Sequence, residues 1–228
     1  MLGIFLGLPL PWVQLLAFVG GLLAVSLVYL LASRIRRHDP VLVLVLAGVA
    51  LGTLLGAGIS LLKILADPYS QLPSITFWLL GGLNGVSFAD LASAAPLMLA
   101  GLLPLALLRW RINLLSLSDE EAAALGLSIS RIRLLLILSA TLMTASAVAI
   151  TGIIGWIGLV VPHMARLLVG PEFSRLLPAS LLLGASFLLL TDTLARTLAG
   201  IELPLGILTA LIGAPFFLLL LARGGRSA

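Results

Sequence analysis

The sequence predicts an all-α, polytopic membrane helix bundle with about seven transmembrane helices. Of the 228 residues, 61% are hydrophobic and 10% are charged, and the mean hydropathy is +1.25. No ordinary water-soluble domain has this balance. The apolar runs suit helices, because only helices and closed barrels satisfy the backbone in lipid, and the alternation of barrel strands is absent. We therefore expect lipid to surround most of the chain, which we treat as a single transmembrane domain, residues 1–228.

The predicted membrane helices correspond to apolar runs separated by polar connections. The runs lie at about 10–32, 41–65, 91–108, 134–154, 157–169, 176–198 and 205–222. The run at 157–169 is the shortest and contains Pro162, so we expect it to be bent, tilted or partly buried against its neighbours. Two connections are predicted to be ordered. One is a turn at 67–73 followed by an interfacial helix at 76–82, and the other is a short hairpin at 202–204.

Arginine residues indicate the orientation of these helices. They cluster in alternate connections and at the C-terminus: Arg34, Arg36, Arg37, Arg109, Arg111, Arg131, Arg133, Arg166, Arg175, Arg223 and Arg226. Cationic loops remain on the cytoplasmic side of a membrane, and all of these clusters can face the cytoplasm together. Lys63 and Arg196 fall near the opposite ends. We therefore expect the N-terminus outside and the C-terminus in the cytoplasm.

Charge and cysteine content exclude several kinds of partner and site. The net charge of +4 is explained by basic loops that orient helices and contact anionic membrane lipid. We expect no nucleic-acid partner, because basic runs with interleaved aromatic residues are absent. The lack of cysteine excludes disulfides and thiolate metal sites. Residues 1–11 have no basic residue ahead of the apolar run and no convincing cleavage site, so we expect no removable secretory signal.

The most informative polar stretch lies between two apolar runs, at about 115–130. Ser118 is suited to cap a helix, with Glu121 three residues later, and acidic residues occupy the first turn. Gly126 can end this helix. The arginine pattern places the helix in the cytoplasm. These residues alone are equally compatible with an ordinary capped surface helix and with a helix that binds a partner.

Several motifs together resemble the FecCD-type permeases of ABC importers, which import iron-siderophores, haem and vitamin B12. In the family's order they are LVLAGVAL (44–51), WLLGG (78–82), EEAAALG (120–126), GWIGLVVPHMAR (155–166), LP and GA (177–178, 184–185), DTLAR (192–196), ELPLGI (202–207) and GAPFF (213–217). One such match would be weak evidence for a relationship. The ordered set is strong evidence, because it covers nearly the whole chain.

The resemblance also has a gap. The family's N-terminal portion, about three helices with a Gln- and Asn-Pro-containing motif, has no counterpart here. We therefore expect this chain to correspond to the C-terminal portion of a ten-helix permease fold. A fragment, a truncated gene product and a mis-assigned start are the alternatives.

The resemblance implies a site and a set of partners. It implies that coupling helices, held in a cleft of a separate ABC ATPase subunit, include Asp119, Glu120, Glu121, Ala122, Ala123 and Gly126. It further implies a permease homodimer with a path between the copies, a periplasmic or lipoprotein substrate-binding protein outside, and the bacterial inner membrane. The chain lacks a Gly-x-x-x-x-Gly-Lys-Ser/Thr loop, so we expect a transport subunit that is not an enzyme, with no cofactor. Iron-siderophore, haem and cobalamin remain open as cargo.

Small and charged residues inside the apolar runs have two interpretations each. Gly48, Gly52 and Gly56 recur every four residues and either let helices pack closely or line the path, as the resemblance implies for this helix. Asp192 and Arg196 are four residues apart and can form an ion pair, which explains why both are tolerated near lipid. A proton or substrate relay is the alternative for this pair.

Other function classes lack their expected residues. His163 has no His, Cys or carboxylate at ligand spacing, which favours packing or hydrogen bonding over metal binding. An intramembrane enzyme would carry a His-Glu-x-x-His helix, paired aspartates or a Gly-x-Ser-Gly nucleophile, and none is present. A secondary transporter or channel that is not driven by ATP is the remaining alternative. It would need coupling-ion carboxylates or interrupted helices within the membrane. Asp192 alone is weak evidence for such a transporter.

Overall fold

The chain folds into a bundle of apolar α-helices. The computed structural model describes residues 1–34, 40–116, 121, 126, 128–198 and 203–224, and these residues contain no β-strand. The helices are α1 (Leu2–Phe5), α2 (Leu10–Arg34), α3 (Pro40–Leu65), α4 (Gln71–Leu80), α5 (Phe88–Leu107), α6 (Arg109–Asn113), α7 (Ile129–Thr151), α8 (Ile157–Val169), α9 (Phe173–Thr197) and α10 (Leu205–Gly224). A short 3-10 turn, Leu114–Ser116, follows α6.

Within the described residues, five helices have the length and composition to cross a membrane: α2, α3 from Leu42 onward, α5, α7 and α9. Two further apolar helices are shorter, α8 and the Leu205–Leu219 part of α10. The predicted all-helical membrane fold is confirmed, and every predicted apolar run coincides with a helix. The predicted and observed ends of these helices agree to within about five residues. Hydropathy cannot locate them more closely, because it contains no information about the residues that cap a helix.

The helix α8 is too short to cross a membrane unaided. Its 13 residues extend about 20 Å at 1.5 Å per residue, whereas the apolar core of a bilayer is about 30 Å thick. The chain ahead of it, residues 152–155, is not helical. Helix α7 ends three residues before its predicted end because Gly152 has a left-handed backbone, with φ 69°.

Helices α5 and α7 pack closely through small residues. Gly101 of α5 is buried, and a Cβ built on it would lie 2.6 Å from Met143 Cγ and 2.8 Å from the carbonyl oxygen of Ser139. The buried positions of α7 include further small side chains: Ser139, Ala145, Ser146 and Ala149. In lipid, burial of apolar surface provides little driving force, so van der Waals contact at such close range is what holds helices together.

Polar contacts connect the ends of α2 and α5. Gln14 Nε2 donates a hydrogen bond of 2.6 Å to Asp90 Oδ1. The other oxygen of Asp90 accepts from the backbone and hydroxyl of Ser87, which completes a capping box at the start of α5. A carboxylate near lipid is therefore supplied with donors from two helices, which offsets the cost of removing it from water.

A capped turn precedes α4. Asp67 Oδ2 accepts hydrogen bonds from the backbone N–H and the hydroxyl of Ser70, both 2.7 Å, and from the N–H of Tyr69 at 3.2 Å. The Ser70 hydroxyl is the main reason that the pKa of Asp67 lies below its ordinary value, because these donors stabilise the charged form. The ordered turn lets α4 begin at Gln71, five residues before the predicted interfacial helix.

Candidate functional site

The candidate coupling segment connects α6 to α7 at one end of the bundle. Of its predicted residues, Asp119, Glu120, Ala122 and Ala123 lie outside the described residues. Glu121 has helical backbone and an exposed side chain, and Gly126 is exposed with φ 78°. A glycine in the left-handed region commonly ends a helix. The two described residues therefore have the conformations expected of a short exposed helix that stops at Gly126.

A short hydrogen bond connects the base of this segment to α9. Asn113, the last residue of α6, accepts at Oδ1 from the backbone N–H of Phe173 at 2.6 Å. Phe173 begins α9, and Glu172 before it makes no side-chain cap but pairs with Arg175 at 3.3 Å. Asn113 therefore caps a helix that starts 60 residues later. Sequence analysis missed this role because a cap supplied by another helix leaves no local pattern.

At the opposite end of the bundle, three backbone segments meet at a glycine junction. Its glycines are Gly81 after α4, Gly152 after α7 and Gly206 in the first turn of α10. A Cβ on Gly152 would collide with the carbonyl oxygen of Trp78, and one on Gly206 with that of Leu80. A Cβ on Gly81 would likewise meet the carbonyl group of Ile153. Because each obstacle is backbone, no change of side-chain rotamer relieves the collision.

Hydrogen bonds between these segments satisfy the irregular backbone at the glycine junction. The N–H of Gly82 donates to the carbonyl oxygen of Thr151 at 2.8 Å, and the N–H of Leu205 donates to Gly81 at 3.0 Å. Non-helical backbone in a membrane protein requires such partners. The structure thus brings together two predicted motifs that are far apart in the sequence, at 78–82 and 202–207, and places residues 151–153 at the end of α7 between them.

A cavity of about 230 Å³ borders the glycine junction. Its polar lining comes from Asn84, Asp192 and Arg196. Arg196 Nε lies 2.8 Å from Asp192 Oδ2, and Nη2 lies 3.3 Å from Oδ1. The Arg196 and Asp192 side chains retain 45% and 21% of their exposure, so the pair is only partly shielded from solvent. The predicted hairpin includes Glu202, which lies outside the described residues.

The residue that precedes helix α8 has unusual backbone geometry. Trp156 has φ 68°, a value that is rare for a bulky side chain. Gly213 of α10 makes room for it, because a Cβ on Gly213 would lie 2.6 Å from Trp156 Cβ. The ring of Phe217 packs against both Trp156 and His163, with centroid distances of 6.4 and 6.3 Å. The described residues contain no group of three or more His, Asp or Glu placed to hold a metal ion.

The glycines of α3 have no close neighbour among the residues that the structure describes. A Cβ built on Gly48, Gly52 or Gly56 would have no heavy atom within 4 Å, apart from the helix's own backbone. Gly48 and Gly52 border a shallow apolar groove between α2 and α3. Their small size is therefore not explained by close packing against the described part of the same chain.

Together, the fold and these sites define a multi-pass α-helical membrane protein with a polar segment at one end and a glycine-packed junction at the other. Residues 1–223 match the model of the FecCD transport family. The chain belongs to that family, and the resemblance predicted from its ordered motifs is confirmed.

Two relatives are transport proteins by name. A Helicobacter pylori protein named "Probable iron chelatin transport system permease protein" is 46% identical over 211 residues, 92% of this chain. The Haemophilus influenzae molybdate import system permease protein MolB is 41% identical over 230 residues, 99% of this chain. The chain spans 64% of the length of the first relative and 68% of the second.

A solved structure has the same fold. It is described as an inward-facing conformation of a metal-chelate type ABC transporter, and it superposes with a TM-score of 0.91 at 40% sequence identity. The match covers 97% of this chain and 70% of the other. The predicted class, a helix bundle of the ABC transporter permease type, is confirmed.

Proposed function

We propose that the chain is the membrane-spanning permease subunit of an ATP-binding-cassette importer of metal chelates of the iron-siderophore, haem or cobalamin type. The observation that carries the proposal is the candidate coupling segment, with Glu121 exposed in a helical backbone and Gly126 in a left-handed turn between two membrane helices. A helix of this kind offers a soluble partner a surface from which to move α5 and α7. The names of the relatives support the transport class.

In this mechanism the chain itself performs no covalent chemistry. Binding of ATP closes a partner ATPase around residues 119–126 and tilts the attached helices, so that the path changes between outward-open and inward-open states. The coupling segment, the arginine clusters and the C-terminus face the cytoplasm of a bacterial inner membrane. The glycine junction then faces the exterior, where a substrate-binding protein docks.

A second copy of the chain completes the path. The glycines Gly48, Gly52 and Gly56 of α3 support this, because they are small and a Cβ on any of them would meet no described part of another helix within 4 Å. Small residues allow two helix backbones to approach each other closely in lipid. We assign this face to the path between the two copies.

The geometry disfavours the ion-driven alternative. An ion-coupled transporter needs an intramembrane carboxylate that is available for a coupling ion. Asp192 is instead engaged by Arg196, with two hydrogen bonds between the side chains. We therefore assign this pair a structural role beside the glycine junction.

The decisive experiment measures uptake and ATP hydrolysis in vesicles that contain the complete complex. Uptake should require ATP and the partner ATPase, and uptake driven by a proton or sodium gradient without nucleotide would refute the proposal. Glu121→Lys should raise the ATP consumed per substrate imported, because it reverses the charge at the partner surface. Ser33→Lys is the control, since it adds a lysine on the exposed end of α2 outside the segment.

The orientation is tested in membranes that contain the chain without the partner ATPase, because the partner would cover Glu121 in the complete complex. The chain has no cysteine, so a single Glu121→Cys variant can be labelled without background. A membrane-impermeant thiol reagent should label it only from the cytoplasmic side. Labelling from the exterior would contradict the proposed coupling segment. Uptake assays with an iron-siderophore, haem, cobalamin and the oxyanion molybdate distinguish the classes of cargo.

A further inference from the structure

We infer that Asn113 is a positioning residue that connects the candidate coupling segment to α9, so that movement of the segment reaches the glycine junction through that helix. The inference depends on the proposed function, because it assigns the route by which movement driven by a partner enters the bundle. In this mechanism, Asn113 contacts neither the partner nor the cargo. It acts through the helix that it caps.

The contact at Asn113 is placed where such a connection is needed. Asn113 ends α6, and only the 3-10 turn Leu114–Ser116 separates it from the candidate coupling segment. Its Oδ1 accepts from the first N–H of α9 at 2.6 Å, and α9 has no side-chain cap from its own preceding residue. A shift of α6 must therefore carry the start of α9 with it or break this hydrogen bond.

A buried hydroxyl beside this contact provides a second, independent observation. Ser174 Oγ, in the first turn of α9, is buried and has no hydrogen-bond partner among the described residues. An unsatisfied buried polar group costs free energy. A movement of α6 that brings the Asn113 amide to Ser174 would satisfy it. On this inference, the contact between Asn113 and the start of α9 has two arrangements with different partners, and a two-state element of this kind can couple distant sites.

Helix α9 connects the two ends of the bundle. Its 25 residues extend about 37 Å at 1.5 Å per residue. At its far end the carbonyl oxygen of Ala195 accepts from the N–H of Leu203 at 3.3 Å, and Asp192 and Arg196 line the cavity beside the glycine junction. A displacement at Phe173 can thus reach the cavity along one continuous helix.

The test compares variants in vesicles that contain the complete complex. Asn113→Ala should raise the ATP consumed per substrate imported by roughly 2- to 30-fold, the range for residues that carry coupling. Asn113→Asp should keep the wild-type ratio, because a carboxylate also accepts from the N–H and suits a helix N-terminus. Ser174→Ala should raise the ratio in the same direction, because it removes the partner of the second arrangement.

Ser87→Ala is the matched control for a lost helix cap. It removes the capping box of α5 at the opposite end of the bundle, so it should lower thermal stability without changing the ratio. Hydrogen exchange at the Phe173 amide provides a readout that does not depend on transport, and exchange should be faster in Asn113→Ala.

The outcomes separate the inference from the proposed function. If the wild-type complex shows no ATP-driven uptake, the proposed function is wrong. If wild-type uptake is driven by ATP but Asn113→Ala keeps the wild-type ratio, or changes it no more than Ser87→Ala does, the inference alone is overturned. If Ser174→Ala leaves the ATP consumed per substrate unchanged, the second arrangement of the contact between Asn113 and α9 is ruled out.

Discussion

The glycine junction leads to a quantitative prediction for Gly152→Ala. The new Cβ would collide with the carbonyl oxygen of Trp78 and lie 3.2 Å from Gly81 Cα. Overpacking of this kind costs about 1–3 kcal/mol. The left-handed φ of 69° adds about 1–2 kcal/mol for any residue with a Cβ. We therefore expect the free energy of unfolding to fall by about 2–5 kcal/mol.

Thermal unfolding of the purified protein in detergent measures this loss. The four tryptophans of the chain include Trp78 at the junction itself, so their fluorescence reports on the affected region. At about 2–4 °C per kcal/mol for a chain of this size, Tm should fall by roughly 4–20 °C.

The matched control is Gly58→Ala in α3. Gly58 lies within the helix, has no positive φ, and a Cβ there would meet no heavy atom within 4 Å. Alanine in a helix interior is better than glycine by about 0.5–1 kcal/mol, so Tm should stay the same or rise slightly. If Gly152→Ala unfolds at the same temperature as wild type or as Gly58→Ala, the glycine junction does not depend on the missing Cβ at Gly152.

Two further predictions concern charged side chains. The pKa of Asp67 is lowered in the folded protein, so its cap is fully formed above the ordinary pKa of 3.8 and is lost as the pH falls through the lower folded value. The protection of the Tyr69 and Ser70 amides against exchange, relative to an unstructured peptide at the same pH, should fall only in that acidic range, and a fall near neutral pH would contradict the assignment. A double-mutant cycle on Asp192→Ala and Arg196→Ala should give a coupling energy of about 0.5 kcal/mol, because the pair is partly exposed. A coupling above about 3 kcal/mol would show instead that the pair is fully buried.

Local sequence patterns were sufficient to predict the membrane helices and the family. Apolar length set the positions of the membrane helices, and the left-handed Gly126 has the conformation that the capped-helix pattern predicts. The ion-pair distance between Asp192 and Arg196 follows from their spacing of four residues on one helix. Each of these features depends only on neighbours within a turn or two of the chain.

Contacts between distant helices could not be predicted in the same way. In a membrane helix both the lipid-facing and the protein-facing sides are apolar, so periodicity does not show which face is packed. Nothing local marked Gly101 as the point where α5 and α7 approach each other, or Trp156 as a residue with positive φ. The hydrogen bond between Gln14 and Asp90 could not be predicted either, because the two residues are 76 positions apart in the sequence.

Hydropathy and short motifs are local properties, and they were enough to place this protein in lipid, to locate the ends of its membrane helices to within about five residues and to assign its family. Two features emerged only from the folded chain: the segments after α4 and α7 meet the first turn of α10 at the glycine junction, and Asn113 caps α9. The physical reason is that these contacts join atoms brought together by helix packing, and packing depends on the shapes of two surfaces at once.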